Sequence, residues 1–91
     1  MAEKFANQPI GEGLSVSRKI MIANVAQEKR LTAANLFEFD RRPRVVQARD
    51  EAMLRLMEDG MTRKEIAQCF QRDWTTVHAS VERAQRRRKQ A

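Results

Sequence analysis

Residues 61–77 constrain this chain more tightly than any other stretch. Thr62 precedes Glu65 by three positions, the spacing at which a hydroxyl and a carboxylate cap a helix start reciprocally. Met61 and Ile66 stand where a hydrophobic staple closes over that start. Ile66 and Phe70 then share one face, which predicts a helix from about Arg63 to Phe70. After the polar connection Gln71-Arg72, Asp73 supplies a second N-cap, and Val77, Val81 and Ala84 recur at helical spacing on a helix reaching about Arg88. Two capped helices with a short turn between them predict a helix-turn-helix over residues 62–88. No segment alternates apolar and polar residues with β-branched ones, so the expected class is all-α.

With 91 residues the chain holds one small domain. Residues 1–14, with Pro9, Gly11 and Gly13 and no apolar period, read as a flexible tail. A helical domain is expected over 15–85 and a basic C-terminal end over 86–91. The helical pattern starts at Ser15, with Ile20, Ala23 and the Val25-Ala26 pair as its stripe, and ends near Arg30. Thr32 resembles an N-cap for a short helix carrying Leu36 and Phe37. Asp40-Arg41-Arg42-Pro43-Arg44 reads as a loop, because Pro43 disfavours helix at Arg42. A helix from Val45 to Asp59 follows, with Val45, Ala48, Ala52, Met53 and Leu56 inward and Gly60 at its C-terminal cap. Arg49 falls within that stripe, so its charged head must emerge or find an anion.

Charge then narrows the function classes. The chain has 18 Lys+Arg against 12 Asp+Glu, a net charge of +6. Residues 1–40 balance, whereas 41–91 hold 13 bases against 7 acids, and eleven of those bases are Arg. Arginine presents a planar fork that matches phosphates and guanine edges, so the excess points to a nucleic acid, with a merely solvated surface as the bland alternative. One cysteine, Cys69, and one histidine, His78, provide neither a disulfide framework nor a zinc cluster. No Gly-rich phosphate loop is present, His78 has no obvious carboxylate partner, and Cys69 reads as a small core residue, so an enzyme is not expected. No apolar run approaches the ~20 residues that span a bilayer, which suggests a soluble cytoplasmic protein.

On a helical wheel with Val77, Val81 and Ala84 inward, Thr75, Ala79, Arg83 and Arg86 face outward and Thr76 lies at the edge. Threonine is short enough to enter a major groove, where its methyl meets a thymine methyl and its hydroxyl a base or phosphate. Thr75 and Thr76 are equally at home as ordinary first-turn residues. Arg41, Arg42 and Arg44 place positive charge where a narrow minor groove attracts it, or else form a solvated turn. Arg83, Arg86, Arg87, Arg88 and Lys89 read as a run of non-specific phosphate contacts or a frayed end. Trp74 has two competing placements, a core ring beside Val77 or an exposed reading residue. Its position after Asp73 and before Thr75-Thr76 favours the second.

These residues carry a family resemblance. Arg41-Arg42, Val45-Val46-Gln47-Ala48-Arg49, Ala52-Met53, Glu65-Ile66, Phe70 and above all Arg72-Asp73-Trp74-Thr75-Thr76-Val77 resemble the C-terminal DNA-binding domain of the bacterial replication initiator DnaA, over about residues 18–84. The resemblance implies an all-helical domain with a helix-turn-helix and a basic loop. It implies Arg41 in a minor groove, Asp73, Thr75 and Thr76 reading bases in the major groove, and Arg49 and Lys64 near the backbone or groove edge. Two departures stand out: Trp74 replaces the family histidine, which puts the family's nine-base-pair box in doubt, and the ATPase module has no counterpart here. Domains similar to this one also occur in regulators of phage-like elements, gene transfer agents among them.

The expected function is therefore sequence-selective binding of double-stranded DNA as a transcriptional regulator associated with the nucleoid. The expected site residues are Arg41, Arg42, Arg44, Arg49, Lys64, Arg72, Asp73, Trp74, Thr75, Thr76 and Arg83. The transcription or replication machinery is the further partner. No membrane, cofactor, metal or small-molecule substrate is expected. One alternative is a modulator of replication initiation at DnaA-like sites. Another is a protein-interaction module with a vestigial DNA-binding surface.

Overall fold

The computed structural model describes residues 13–90. It is all-helical: α1 (Val16–Glu28), α2 (Ala33–Phe37), α3 (Pro43–Glu58), α4 (Arg63–Phe70) and α5 (Trp74–Gln90). Side chains cap three of the starts. The Ser15 hydroxyl accepts from the Arg18 backbone N–H at 3.2 Å. Thr32 and Asn35 form a reciprocal box at the start of α2. Thr62 and Glu65 form the one expected at α4, with Thr62 N–H donating to Glu65 Oε1 at 2.8 Å and Glu65 N–H to Thr62 Oγ1 at 3.1 Å. The Thr62 backbone N–H holds the Glu65 carboxyl below its ordinary pKa.

Three helices end alike. Gly60, Arg30 and Gln71 adopt left-handed φ values of 107°, 58° and 54°. The residue after each donates back five positions: Met61 N–H to Leu56 O, Leu31 N–H to Ala26 O and Arg72 N–H to Ala67 O. This is the Schellman closure, which satisfies carbonyls the helix leaves orphaned. It turns α4 sharply toward α5 at Gln71-Arg72, the connection read as the turn of the helix-turn-helix.

Helix α3 is the hub and packs against the other four. Its stripe Val45, Ala48, Ala52, Met53 and Leu56 is fully buried. It meets Leu36 of α2, Ile66 and Phe70 of α4, and Val77, Val81 and Ala84 of α5 in one core. Met61 and Ile66 are both buried, so the staple is in place. Phe37 stacks on Phe70 with ring centroids 4.7 Å apart.

Several local expectations are corrected. The buried stripe of α1 is Ile22, Val25 and Ala26, while Ile20 is 54% exposed and Ala23 also faces out. Pro43 does not extend the loop but opens α3 at its first position, where its missing N–H costs nothing, so Arg44 is helical. The tail expected over 1–14 lies outside the described residues except Gly13 and Leu14, and Leu14 is buried in the core. Helix α5 continues through the basic run to Gln90.

That run is held by long-range ion pairs. Asp50 on α3 has no exposed surface. Its carboxylate takes Arg83 in a two-point contact, Nε to Oδ2 at 2.9 Å and Nη2 to Oδ1 at 3.1 Å, and Arg87 Nη1 at 2.9 Å. Arg83 therefore points at α3 rather than outward, and it also donates to Ser80 Oγ. Arg88 bridges Glu51 at 2.7 Å and Glu58. Burial alone would raise the Glu51 pKa, but hydrogen bonds from Arg88 and Arg55 outweigh it and leave the group below its ordinary value. Next to Glu58, at the C-terminal cap of α3, Arg18 binds Asp59 through both the Asp59 side chain (2.8 Å) and its carbonyl (2.9 Å).

Candidate nucleic-acid interface

Residues 38–41 between α2 and α3 are not helical, so their carbonyls, like the last ones of α2, need outside partners. Arg49 supplies them from α3. Its Nε donates to Leu36 O at 2.7 Å, and its Nη2 to Glu38 O at 2.7 Å and Asp40 O at 3.0 Å. Only 6% of Arg49 is exposed. Its apolar stem thus completes the α3 stripe, and its head finds three carbonyls rather than an anion.

Arg72, from the turn before α5, reaches the same place. Its Nη2 donates to Glu38 O at 2.6 Å, and its guanidinium lies 4.5 Å from the centroid of the Phe39 ring. One carbonyl oxygen therefore ties the 38–42 segment to both α3 and the start of α5. Among the described residues, neither Arg49 nor Arg72 has an ion pair with a carboxylate. Burial pushes both guanidiniums below the ordinary arginine pKa, and the Arg49 charge adds to the effect on Arg72. Arg72 Nε is buried without a hydrogen-bond partner.

Asp40 turns the other way. Its carboxylate accepts the Arg42 backbone N–H at 3.0 Å and pairs with Arg42 Nη2 at 2.6 Å. The Arg42 side chain, then its backbone N–H, hold Asp40 down at about 2. The same contact raises the Arg42 pKa.

An open concavity of about 450 Å³ lies between this segment and the start of α5. Of the residues expected at the site, it brings together Arg41, Arg49, Arg72, Asp73, Thr76 and Arg83. Arg42, Arg44, Lys64, Trp74 and Thr75 do not line it. Arg41, Arg42, Arg44, Lys64, Asp73, Trp74, Thr75 and Thr76 are exposed, Arg72 and Arg83 half-buried and Arg49 buried. Trp74 is 51% exposed and meets His78 edge-on at 6.1 Å, so it is a surface ring and not a core one. His78 has a carboxylate neighbour after all, Glu82, one helical turn on at 3.2 Å. Cys69 is buried, and burial raises its thiol pKa.

Sequence reasoning missed Phe39. It is 78% exposed and lines the concavity beside Arg41. The available signal was its isolation: it sits between Glu38 and Asp40 and belongs to no helical stripe. The concavity thus combines guanidinium donors, a threonine hydroxyl, the carboxylates of Asp40 and Asp73 and the Phe39 ring. Such a set suits planar, acceptor-rich edges and phosphates. No protein-family model matches this chain, and neither the curated proteins nor the solved structures contain a match.

Proposed function

We propose that this domain binds double-stranded DNA sequence-selectively and acts as a transcriptional regulator on the nucleoid. In this reading the 39–42 segment faces a minor groove and the first turn of α5 enters the adjacent major groove. One observation carries it: exposed Arg41 and the exposed turn Asp73-Trp74-Thr75-Thr76 flank one concavity. The arginines tied to carbonyls there, Arg49 and Arg72, make no direct ion pair with a carboxylate among the described residues. A site that reads bases from one helix end and gains affinity from nearby arginines needs this arrangement. The resemblance of Arg72-Asp73-Trp74-Thr75-Thr76-Val77 to the DNA-binding domain of DnaA supports the same reading.

Salt dependence tests it. With ~5 phosphate contacts, log affinity for duplex DNA should fall with log salt at a slope of about −4 to −5. Fluorescence anisotropy with a labelled duplex at several salt concentrations reads that slope, and a flat response or no binding at low salt overturns the proposal. Mapping bound sites in the genome then separates promoters, the regulator reading, from an origin, where the domain would modulate replication initiation. Trp74 in place of the family histidine favours promoters, because it alters the residue at the centre of the family's reading turn.

A further inference from the structure

We infer that Phe39 is a wedge that enters a base step beside Arg41 and kinks the duplex. The inference rests on the proposed DNA binding and adds to it a deformation of the DNA. Phe37 and Phe39 show two fates for one residue type. Phe37 packs on Phe70 inside the domain, whereas Phe39 stands 78% exposed on the rim of the basic concavity. An exposed large ring at a charged rim is best matched by a ligand that presents apolar stacking surface between charged walls. Duplex DNA does so only when a base step opens.

The backbone sets the spacing. Glu38 and Arg42, which bracket the segment, have ψ values of 167° and 139°, in the extended range. Residues two apart on extended chain point to the same side, about 7 Å apart. Phe39 and Arg41 both line the concavity. An arginine seated in a narrow minor groove would therefore carry a phenyl ring about two base-pair steps away on the same side. Minor-groove proteins that bend DNA combine these elements: a cation attracted by the groove and an apolar side chain that partly unstacks a step.

The ring is also held for the task. Arg49 anchors the carbonyls of Leu36, Glu38 and Asp40 on either side of the ring. The Arg72 guanidinium lies over the Phe39 ring and sets its orientation. Arg72 also belongs to the turn that starts α5, so the wedge and the reading turn are fixed relative to each other through Glu38 O.

The test uses the full chain and a duplex selected by it from a random pool. Each adenine of that duplex is replaced in turn by 2-aminopurine, whose fluorescence rises when its step unstacks, and the two ends carry an energy-transfer pair. The wild-type chain should raise 2-aminopurine fluorescence at one step and bring the ends closer, with a bend of about 20–90°. F39A should lose both signals and bind about tenfold more weakly, and F39L, which keeps an apolar tip, should retain part of the bend. Because Phe39 is exposed, both variants should melt with the wild type. Binding by the wild type without unstacking or bending overturns the wedge and leaves DNA binding standing. Unchanged signals in F39A also overturn it. Failure of the wild type to bind or select any duplex overturns both this inference and the DNA-binding proposal beneath it.

Discussion

Two parts of this molecule look alike in sequence and differ in what their arginines meet. The second half of α5 carries Arg83, Arg87 and Arg88, and all three end on carboxylates of α3. The region around residues 38–49 and the turn before α5 carry Arg41, Arg44, Arg49 and Arg72. Arg49 and Arg72 end on carbonyls, and Arg41 and Arg44 are exposed. A carboxylate cancels a guanidinium, whereas a carbonyl satisfies its donors and leaves its charge. Counting arginines along the chain therefore misplaces the positive field. Arg83, Arg87 and Arg88 of the run act as a clasp between helices while Arg86 and Lys89 stay exposed, and guanidiniums without a direct carboxylate partner lie beside the 38–42 segment.

The sharpest way to break this contrast is to remove the clasp. Arg83→Met together with Arg87→Met leaves the Asp50 carboxylate buried without a base. Stranding a buried charge costs about 3–5 kcal/mol. At roughly 4–8 °C per kcal/mol for a domain of this size, the melting temperature should fall by more than ~12 °C. Thermal melts by circular dichroism read this directly. A loss of only a few degrees would mean that Asp50 finds water, and the α5 arginines would return to the pool of bases available to a ligand.

The carbonyl anchor comes next. Arg49→Met keeps the apolar stem in the α3 stripe and deletes three hydrogen bonds to Leu36, Glu38 and Asp40. Hydrogen bonds from charged groups contribute more than neutral ones, but freed carbonyls in this half-open segment regain water, so about 2–3 kcal/mol of stability should be lost. Faster amide exchange in 38–42 should accompany the loss, and the affinity for duplex DNA should drop although Arg49 offers no exposed donor. Wild-type exchange rates in that segment would show that Arg72 alone holds it.

Why one half of this contrast was legible and the other was not has a physical reason. Caps and staples are local: Thr62 and Glu65, Met61 and Ile66, and Thr32 lie within one turn of their partners, so the starts of α2 and α4 were readable. Stripes on amphipathic helices were equally plain, as for Val45, Ala48, Ala52, Met53 and Leu56. Helix α1 failed that test because Val16, Ile20, Met21, Ile22, Ala23, Val25 and Ala26 leave it apolar nearly all round. Its phase is set only by what it packs against. The clasp was invisible because Asp50 and Arg83 are 33 positions apart. The wheel placed Arg83 outward, where a solvated arginine belongs, and nothing local marks Asp50 as buried. At the site, the residue types were legible from Arg72-Asp73-Trp74-Thr75-Thr76. That Arg49 and Arg72 converge on Glu38 O, and that Phe39 stands at the rim, came only with the packing of three elements.

Arg41 and Arg88 make a paired, smaller test. Arg41→Ala should leave the melting temperature within a degree or two and weaken binding by about 1–3 kcal/mol, chiefly on AT-rich duplexes with a narrow minor groove. Arg88→Ala should do the reverse. Its pairs with Glu51 and Glu58 are partly exposed, so stability should fall by ~1 kcal/mol or less and DNA affinity should hardly move. Parallel melts and anisotropy titrations decide the matter. Equal binding losses in the two variants would erase the distinction between the regions.

The smallest effect concerns Arg42, the one arginine of the 41–44 stretch that ends on a carboxylate. Asp40 falls from 3.8 to about 2 because the Arg42 side chain and backbone N–H stabilise its charged form. Folded protein therefore binds fewer protons than unfolded protein between those two values. The contribution of Asp40 to stability is complete above about pH 4 and is lost as the pH falls through about 2. Asp40→Asn should flatten that limb of the acid-unfolding curve and leave the neutral-pH charge of Arg42 uncompensated. It should then raise the affinity for DNA and steepen its salt dependence by less than one contact. Carbon-detected NMR titration of the Asp40 carboxyl gives the decisive number. A midpoint near 3.8 would mean that Arg42 leaves Asp40 in solution. It would then stand with Arg41 and Arg44 as a base open to phosphate rather than with the neutralised arginines of α5.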